Sequence, residues 1–561
     1  MDTFLRGLHQ LLLWSPWLLG FGVLYLAARG LSPEGTTRGS GDVIAGLVTL
    51  GVAGWLVRDW PTYPRLGLTW ALVIIGLVRW ARAWRHRLTL AAGLLVLGSA
   101  GGLLWAFAPL AGLVLPPYPD AALHAWHLRA DYLHVPPDVS PHGAILRIGP
   151  WKVAYYHQGS YALMAWPLWA GLSFQPMGLL ALTILALGVI LPWGLYRLQR
   201  SQGAPAGLAA LIAWLGTWAW TTPFYGLTWG KYPALWAIAL TPGVLAHWGP
   251  SSRARRFVAR LLPGLLLMGL GWVHSRVALW AGLTVLVWWW LRWMGPWTAR
   301  RGFWFAWGVY GLWAAHGLLI RDVGFWRFIA RPAWLGMGLL VGLNLLRPRR
   351  AGLASAGWAA LLALAYAPLP WLPGIGSPWI DRPTFELLAP LTTAFTWAAA
   401  LRRAWPQGLT LETWRAAGQV VLGALALGGA LTWLAHKPPW LNPVTIIAQE
   451  DDVVAQTFLR RQAQPPAHVL IARGGGTWAY DGGAWVPVLT GLQVERVSRK
   501  VRWWEANFLR RQCAPGRTVW AYVDENPPGL QPPPSRPWLD LPIAWANVRI
   551  YRVRCAALPA P

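Results

Sequence analysis

Apolar runs long enough to cross a bilayer recur along most of this chain, and short arginine clusters separate them. About 20 apolar residues cross the hydrocarbon core, where every backbone polar group must be satisfied internally, so helices are the expected spanning element. Of 561 residues, 56% are hydrophobic and only 12% charged, with mean hydropathy +0.38. The net charge of +28 would suit nucleic acid if it formed one surface. Here it falls in clusters between apolar runs, the pattern of cytoplasmic loops, and nucleic-acid binding is set aside. The fold class expected is a mainly α, polytopic bundle of roughly 14 spans in the cell membrane, with membrane lipids as partners. The first run, Leu8 to Leu26, lacks the usual small-residue cleavage site and reads as a retained span.

The clusters Arg79–Arg87, Arg197 and Arg200, Arg253–Arg260, Arg292–Arg301, Arg347–Arg350, and Arg402 and Arg403 fix a topology when placed on the cytoplasmic side. The connections near 223–232, 274–276, 321–332 and 373–384 then face outward, as does the loop 116–160. The stretch 159–173 is short and contains Pro167, so parity makes it re-entrant or interfacial rather than a full crossing. Residues 1–436 form the membrane domain on this reading.

From 437 to 561 the composition changes to that of a soluble, extracytoplasmic α/β domain. His468–Ala472, Thr518–Val523 and Val548–Val553 read as strands, Thr477–Val488 as a hairpin, and Asp451–Arg461 and Trp503–Arg511 as helices. Both cysteines of the chain, Cys513 and Cys555, lie here beside predicted strands. An oxidising compartment favours a disulfide between them over two buried thiols.

Chemistry concentrates between 116 and 160. Asp120, His124, His127, Asp131 and His134 are spaced 4, 3, 4, 3, which puts them on one stripe of a single helix facing water or a polar ligand; Asp138, His142, Tyr155, Tyr156 and His157 follow. An Asp–His pair four residues apart also presents two ligands for a divalent ion, Mg or Mn, although two are few for a metal site. The plainer readings are that Asp120 caps the helix and that the histidines form the polar side of an interfacial helix.

The segment Pro119-Asp120-Ala121-Ala122-Leu123-His124, followed by Tyr155-Tyr156-His157-Gln158-Gly159-Ser160-Tyr161, resembles the first external loop of the C-type (GT-C) membrane glycosyltransferases. Trp229-Gly230-Lys231-Tyr232-Pro233, His274 at an outer helix end, Arg382-Pro383-Thr384-Phe385 and the stretch 485–491 resemble uncharacterised large proteins of that kind. The resemblance implies transfer of a sugar from a polyprenyl-phosphate-linked donor to a hydroxyl or amide acceptor on the external face. Asp120, with His124, would then be the catalytic pair, because a hydroxyl is a poor nucleophile until its proton is taken. Lys231, His274, Arg276 and Arg382 would hold the donor phosphate, where negative charge grows. His127, Asp131, Tyr156 and His157 would line the loop or meet the acceptor.

Lys231 and the arginines also read as side chains snorkelling to the interface, His274 as a packed histidine, and the many tryptophans as an aromatic belt. Two other functions compete. A transporter or lipid flippase would place ionisable groups near the bilayer midplane, whereas here they gather in one external loop. A non-catalytic envelope assembly protein would keep the loop but leave it inert.

Overall fold

The computed structural model describes residues 2–32, 43–83, 90–134, 146–148, 151–153, 157–219, 223–248, 257–293, 437, 439–464, 466–472, 482–497, 501–524 and 533–560, with short helical pieces between 353 and 395. The fold is mainly helical, with one small sheet near the C-terminus. Asp2–Leu13 (α1) and Ser15–Leu31 (α2) are bent by 69°. The single run expected over Leu8–Leu26 is therefore two helices. Pro16 stands in the first turn of α2, where its missing N–H and fixed φ start a helix rather than continue one. Val43–Val57 (α3) and Thr62–Ala83 (α4) follow. A methyl on Gly30 would lie 2.4 Å from the Leu72 carbonyl oxygen and one on Gly76 1.8 Å from that of Leu26, so α2 and α4 touch backbone to backbone.

Leu90–Phe107 (α5) runs into a 3-10 turn and leads to Pro119–His127 (α6). A two-stranded antiparallel ladder, Leu146–Ile148 (β1) with Trp151–Val153 (β2), precedes Gln158–Trp169 (α7). Every residue of α7 is buried, so it packs among the other helices. Pro176–Leu185 (α8) and Leu191–Ser201 (α9) are joined by a π-turn into one 26-residue apolar element. Ala206–Trp218 (α10), Tyr232–Ala246 (α11), Phe257–Val273 (α12) and Ser275–Trp293 (α13) follow.

Among the described residues, three helical stretches are long and apolar enough to cross a membrane: Thr62–Arg82, Leu90–Gly112 and Pro176–Ser201. The bent α1–α2 pair would make a fourth if it is one span. Val43–Val57, Ala206–Trp218 and Tyr232–Ala246 are apolar but shorter.

The C-terminal part holds Glu450–Gln462 (α14), Ala467–Ala472 (β3), Val486–Thr490 (α15), Gln493–Val497 (β4), Ala506–Gln512 (α16), Thr518–Asp524 (β5), Ile543–Ala544 (β6) and Val548–Val553 (β7). The sheet order is β4-β3-β5-β7-β6; β3 is parallel to both neighbours, and β7 runs antiparallel to β5 and β6. Side-chain alternation splits each central strand between two cores. Val469, Ile471 and Tyr522 pack with α14, whereas Leu470, Ala521 and Val523 pack with α16. The hairpin expected over 477–488 is not formed in its described half: Gly482–Trp485 is a 3-10 turn leading into α15. Pro487 in the first turn and Gly491 in the left-handed conformation at the end favour a short helix there. The helix expected from Trp503 starts at Ala506, after a turn.

Cys513 and Cys555 are joined by a disulfide, tying the end of α16 to the chain after β7. It closes a sequence separation of 42, so the Cys513→Ser/Cys555→Ser variant is expected to lose about 4 kcal/mol of stability in this part on loop-closure grounds. Denaturant unfolding with and without reductant checks this, and unchanged midpoints would refute it.

The first residues after 437 pack into the helical core rather than the sheet. Trp440 is fully buried and its indole N–H donates to the Ala106 carbonyl at 2.8 Å. The Lys437 ammonium donates to the Trp218 carbonyl at 2.7 Å and sits 4.2 Å from the centre of the Trp105 ring. Arg129 donates to the Val488 carbonyl and lies over the Phe174 ring. These contacts seat the C-terminal part against the end of the bundle that carries α6.

Candidate functional site

The site begins with the entry to α6. Tyr118 has φ 69°, a strained value for a non-glycine residue, and its N–H donates to the Thr445 carbonyl at 3.0 Å. Pro119 opens the helix and Asp120 stands in the first turn. Against it lies the corner before α11, where Gly230 has φ 63°. A Cβ there would sit 2.7 Å from the Ala121 nitrogen, so only glycine lets the two backbones meet. This approach brings the Lys231 ammonium 2.6 Å from an Asp120 carboxylate oxygen, across 111 residues of sequence. The pair is partly buried, Asp120 more so than Lys231.

One turn along α6, His124 is buried, and its Nδ1 is 2.8 Å from the Tyr161 hydroxyl. Its ring lies 5.9 Å from that of Tyr232 and 6.5 Å from that of His157. His157 precedes α7 and stacks on His274 with centroids 4.5 Å apart and planes within 7°. His274 ends α12 and its Nδ1 accepts the Val277 N–H at 3.3 Å, capping α13. Arg276 stands in the first turn of α13, and its charge and that of Lys231 both act on His157. On the other side of His124, the Tyr161 ring stacks on His127, whose Nδ1 is 3.1 Å from an Asp131 carboxylate oxygen.

The structure thus gathers Asp120, His124, His157, Lys231, His274 and Arg276 from four separate segments, with His127 and Asp131 joined through Tyr161. Tyr155, Tyr156, Asp138, His142, Arg382 and the 321–332 connection lie outside the described residues. The water-facing stripe is corrected in two respects. His124 and His127 are buried, because α7 covers that face of α6. After His127 the chain turns as a π-helix over Leu128–Tyr132, which breaks the 3.6-residue register. His134 consequently leaves the stripe: its φ is 51° and its Nε2 lies 2.9 Å from the Arg58 carbonyl. The sequence alone gives Tyr161 and Tyr232 no role. Both are fully buried in the cluster.

Burial, aided by the charges of His127 and Lys231, holds His124 well below the ordinary histidine value of 6.5, against a hydrogen bond to the Gly230 backbone. Burial and then the neighbouring His274 and His124 do the same to His157. Both rings are therefore neutral in the folded protein at neutral pH. The unfolded chain binds protons below 6.5 that the folded state refuses, so these groups lower stability as pH falls through and below that value. The melting temperature is expected to drop between about pH 7.5 and about pH 5.5, and the His124→Gln/His157→Gln variant to show a shallower drop. Equal slopes would refute the assignment.

Among the described residues no group of three or more His, Cys, Asp or Glu side chains is placed to hold a metal ion. The two residues considered for Mg or Mn are otherwise engaged, Asp120 with Lys231 and His124 with Tyr161. Chemically the cluster offers a carboxylate able to take a proton, an ammonium and a guanidinium able to meet an anion, and neutral imidazoles between them. Comparison of the chain with protein-family models, with curated proteins and with solved structures finds no match in any of the three.

Proposed function

We propose that this chain is a polytopic membrane glycosyltransferase of the GT-C kind, with loop 116–160 and the C-terminal domain on the extracytoplasmic side. It would transfer a sugar from a polyprenyl-phosphate-linked donor to an acceptor hydroxyl or amide. The observation that carries the reading is the 2.6 Å contact of Asp120 with Lys231 beside the stacked His157–His274 pair, at one end of the bundle. Residues that sequence topology assigns to different external connections meet in one cluster, as a shared external site requires.

In this reading Asp120 takes the acceptor proton as the acceptor's oxygen or nitrogen forms a bond to the anomeric carbon, while the bond from that carbon to the phosphate oxygen breaks with inversion. Lys231 and Arg276 meet the charge that grows on the departing phosphate. A guanidinium can grip two phosphate oxygens at once, and an ammonium acts as a point charge. The C-terminal part, seated on α6 through Arg129 and Thr445, would position the acceptor over Asp120.

The test is direct. Purified protein in lipid nanodiscs is given labelled polyprenyl-phosphate hexoses and pentoses with cell-envelope glycan or glycoprotein acceptors. Acceptor-dependent release of free polyprenyl phosphate is expected. No release with any donor, together with movement of intact lipid-linked sugar across the bilayer of proteoliposomes, would favour the flippase.

A further inference from the structure

Tyr232, the first residue of α11, has a hydroxyl that no described part of the fold engages. Its side chain is fully buried, and among the described residues the hydroxyl has no hydrogen-bond partner. Buried tyrosine hydroxyls ordinarily find one, because leaving such a group unmade forfeits its hydration. The position is not an apolar corner. Tyr232 follows Lys231 directly, its ring is 5.9 Å from that of His124, and the Asp120 charge acts on the phenol. Tyr161, the other buried tyrosine of the cluster, does have its partner in His124. One hydroxyl is thus satisfied by a side chain of the cluster, and the other has no partner among the described residues.

The neighbours indicate what that group is. Buried, and with the Asp120 charge acting on it, the phenol keeps its proton and acts as a donor, so it needs an acceptor on the ligand. The ammonium of Lys231, the preceding residue, selects an anionic acceptor, and Arg276, whose charge acts on His157 of the same cluster, adds to that preference. We propose that the Tyr232 hydroxyl donates a hydrogen bond to a phosphate oxygen of a lipid-linked ligand bound beside Lys231. This rests on the glycosyltransferase reading and adds a specific binding group to it. It also gives Lys231 a second partner, since a phosphate reached by Tyr232 competes with Asp120 for the ammonium and frees the carboxylate to act as a base.

The test uses the full chain in phosphatidylcholine nanodiscs, with decaprenyl phosphate as the probe. Tyr232→Phe keeps the ring and removes only the hydroxyl. Without ligand, this variant is expected to melt at the same temperature as wild type or higher, because an unmade buried polar group has been removed. Its affinity for decaprenyl phosphate is expected to fall about 10- to 100-fold, the range for a hydrogen bond to a charged group. Inorganic phosphate added as a competitor separates the sources: displacement of the probe marks a site for phosphate alone, and its failure marks one that also needs the lipid. Either result supports the contact provided Tyr232→Phe weakens binding. Equal affinity of wild type and variant overturns the proposal and leaves the transfer reading standing. A lower ligand-free melting temperature also overturns it, since the hydroxyl would then serve the fold. Wild type that does not bind decaprenyl phosphate overturns both.

Discussion

Asp120→Asn is expected to lower the turnover of sugar transfer by about 10²- to 10⁴-fold, the range for losing a positioned general base, which is about 3–5 kcal/mol of barrier. The amide keeps the shape of the carboxylate and its place in the first turn of α6, but it neither takes a proton nor balances the Lys231 ammonium 2.6 Å away. Donor affinity should change far less, because a released Lys231 is free to meet phosphate. The fall therefore belongs in turnover and not in apparent donor binding. Asp131→Asn is the control: it lies on the same loop, bonds His127, and makes no contact with Lys231. It should cost less than about tenfold. Comparable losses in both variants would mean that loop 116–160 needs its carboxylates for structure, and the assignment of Asp120 as base would be withdrawn.

The comparison of these two carboxylates also shows what could be read from sequence. The 4, 3 spacing of Asp120, His124 and His127 placed them on one face of a helix, and they are. What that face meets depends on α7 and on the corner at Gly230, parts of the chain some 30 to 110 residues away. Local polarity said water, and packing by distant apolar helices made the face an interior one. The break after His127 was hidden for another reason: a π-turn leaves no residue signature distinct from the helix it interrupts. Tyr161 and Tyr232 were lost among the many aromatics, since only contact distinguishes a tyrosine that holds a histidine from one that fills space.

In the C-terminal part the short runs His468–Ala472, Thr518–Val523 and Val548–Val553, rich in β-branched and aromatic residues, were legible as three strands; the first two are nearly continuous apolar runs because both of their faces meet a core. The disulfide was legible because only two cysteines exist to pair. The short strand β4 at the sheet edge and the helical turn at 482–490 were not, each being too brief for a period to declare itself. The long element Pro176–Ser201 was readable as one apolar run, whereas the bend at Trp14 hung on a single proline.

Gly230→Ala should be the most damaging single-methyl change near the site. At φ 63° any L side chain costs about 1–2 kcal/mol, and here the added Cβ would also stand 2.7 Å from the Ala121 nitrogen, a contact with backbone that cannot rotate away. Relief requires α6 and the Lys231 corner to move apart. Displacing a catalytic group by about 1 Å is enough to cost about 100-fold in rate. The variant is thus expected to lose both melting temperature and transfer activity. Gly203→Ala provides the comparison: Gly203 has φ 83° but nothing within 4 Å of the position its Cβ would take. It should show the conformational penalty alone, with activity close to wild type. The difference between the two isolates the contact of Gly230 with α6 from the cost of a left-handed alanine. If both variants lose stability equally and both retain transfer, then Gly230 serves only its own turn, and the close approach that joins Lys231 to Asp120 does not govern the chemistry.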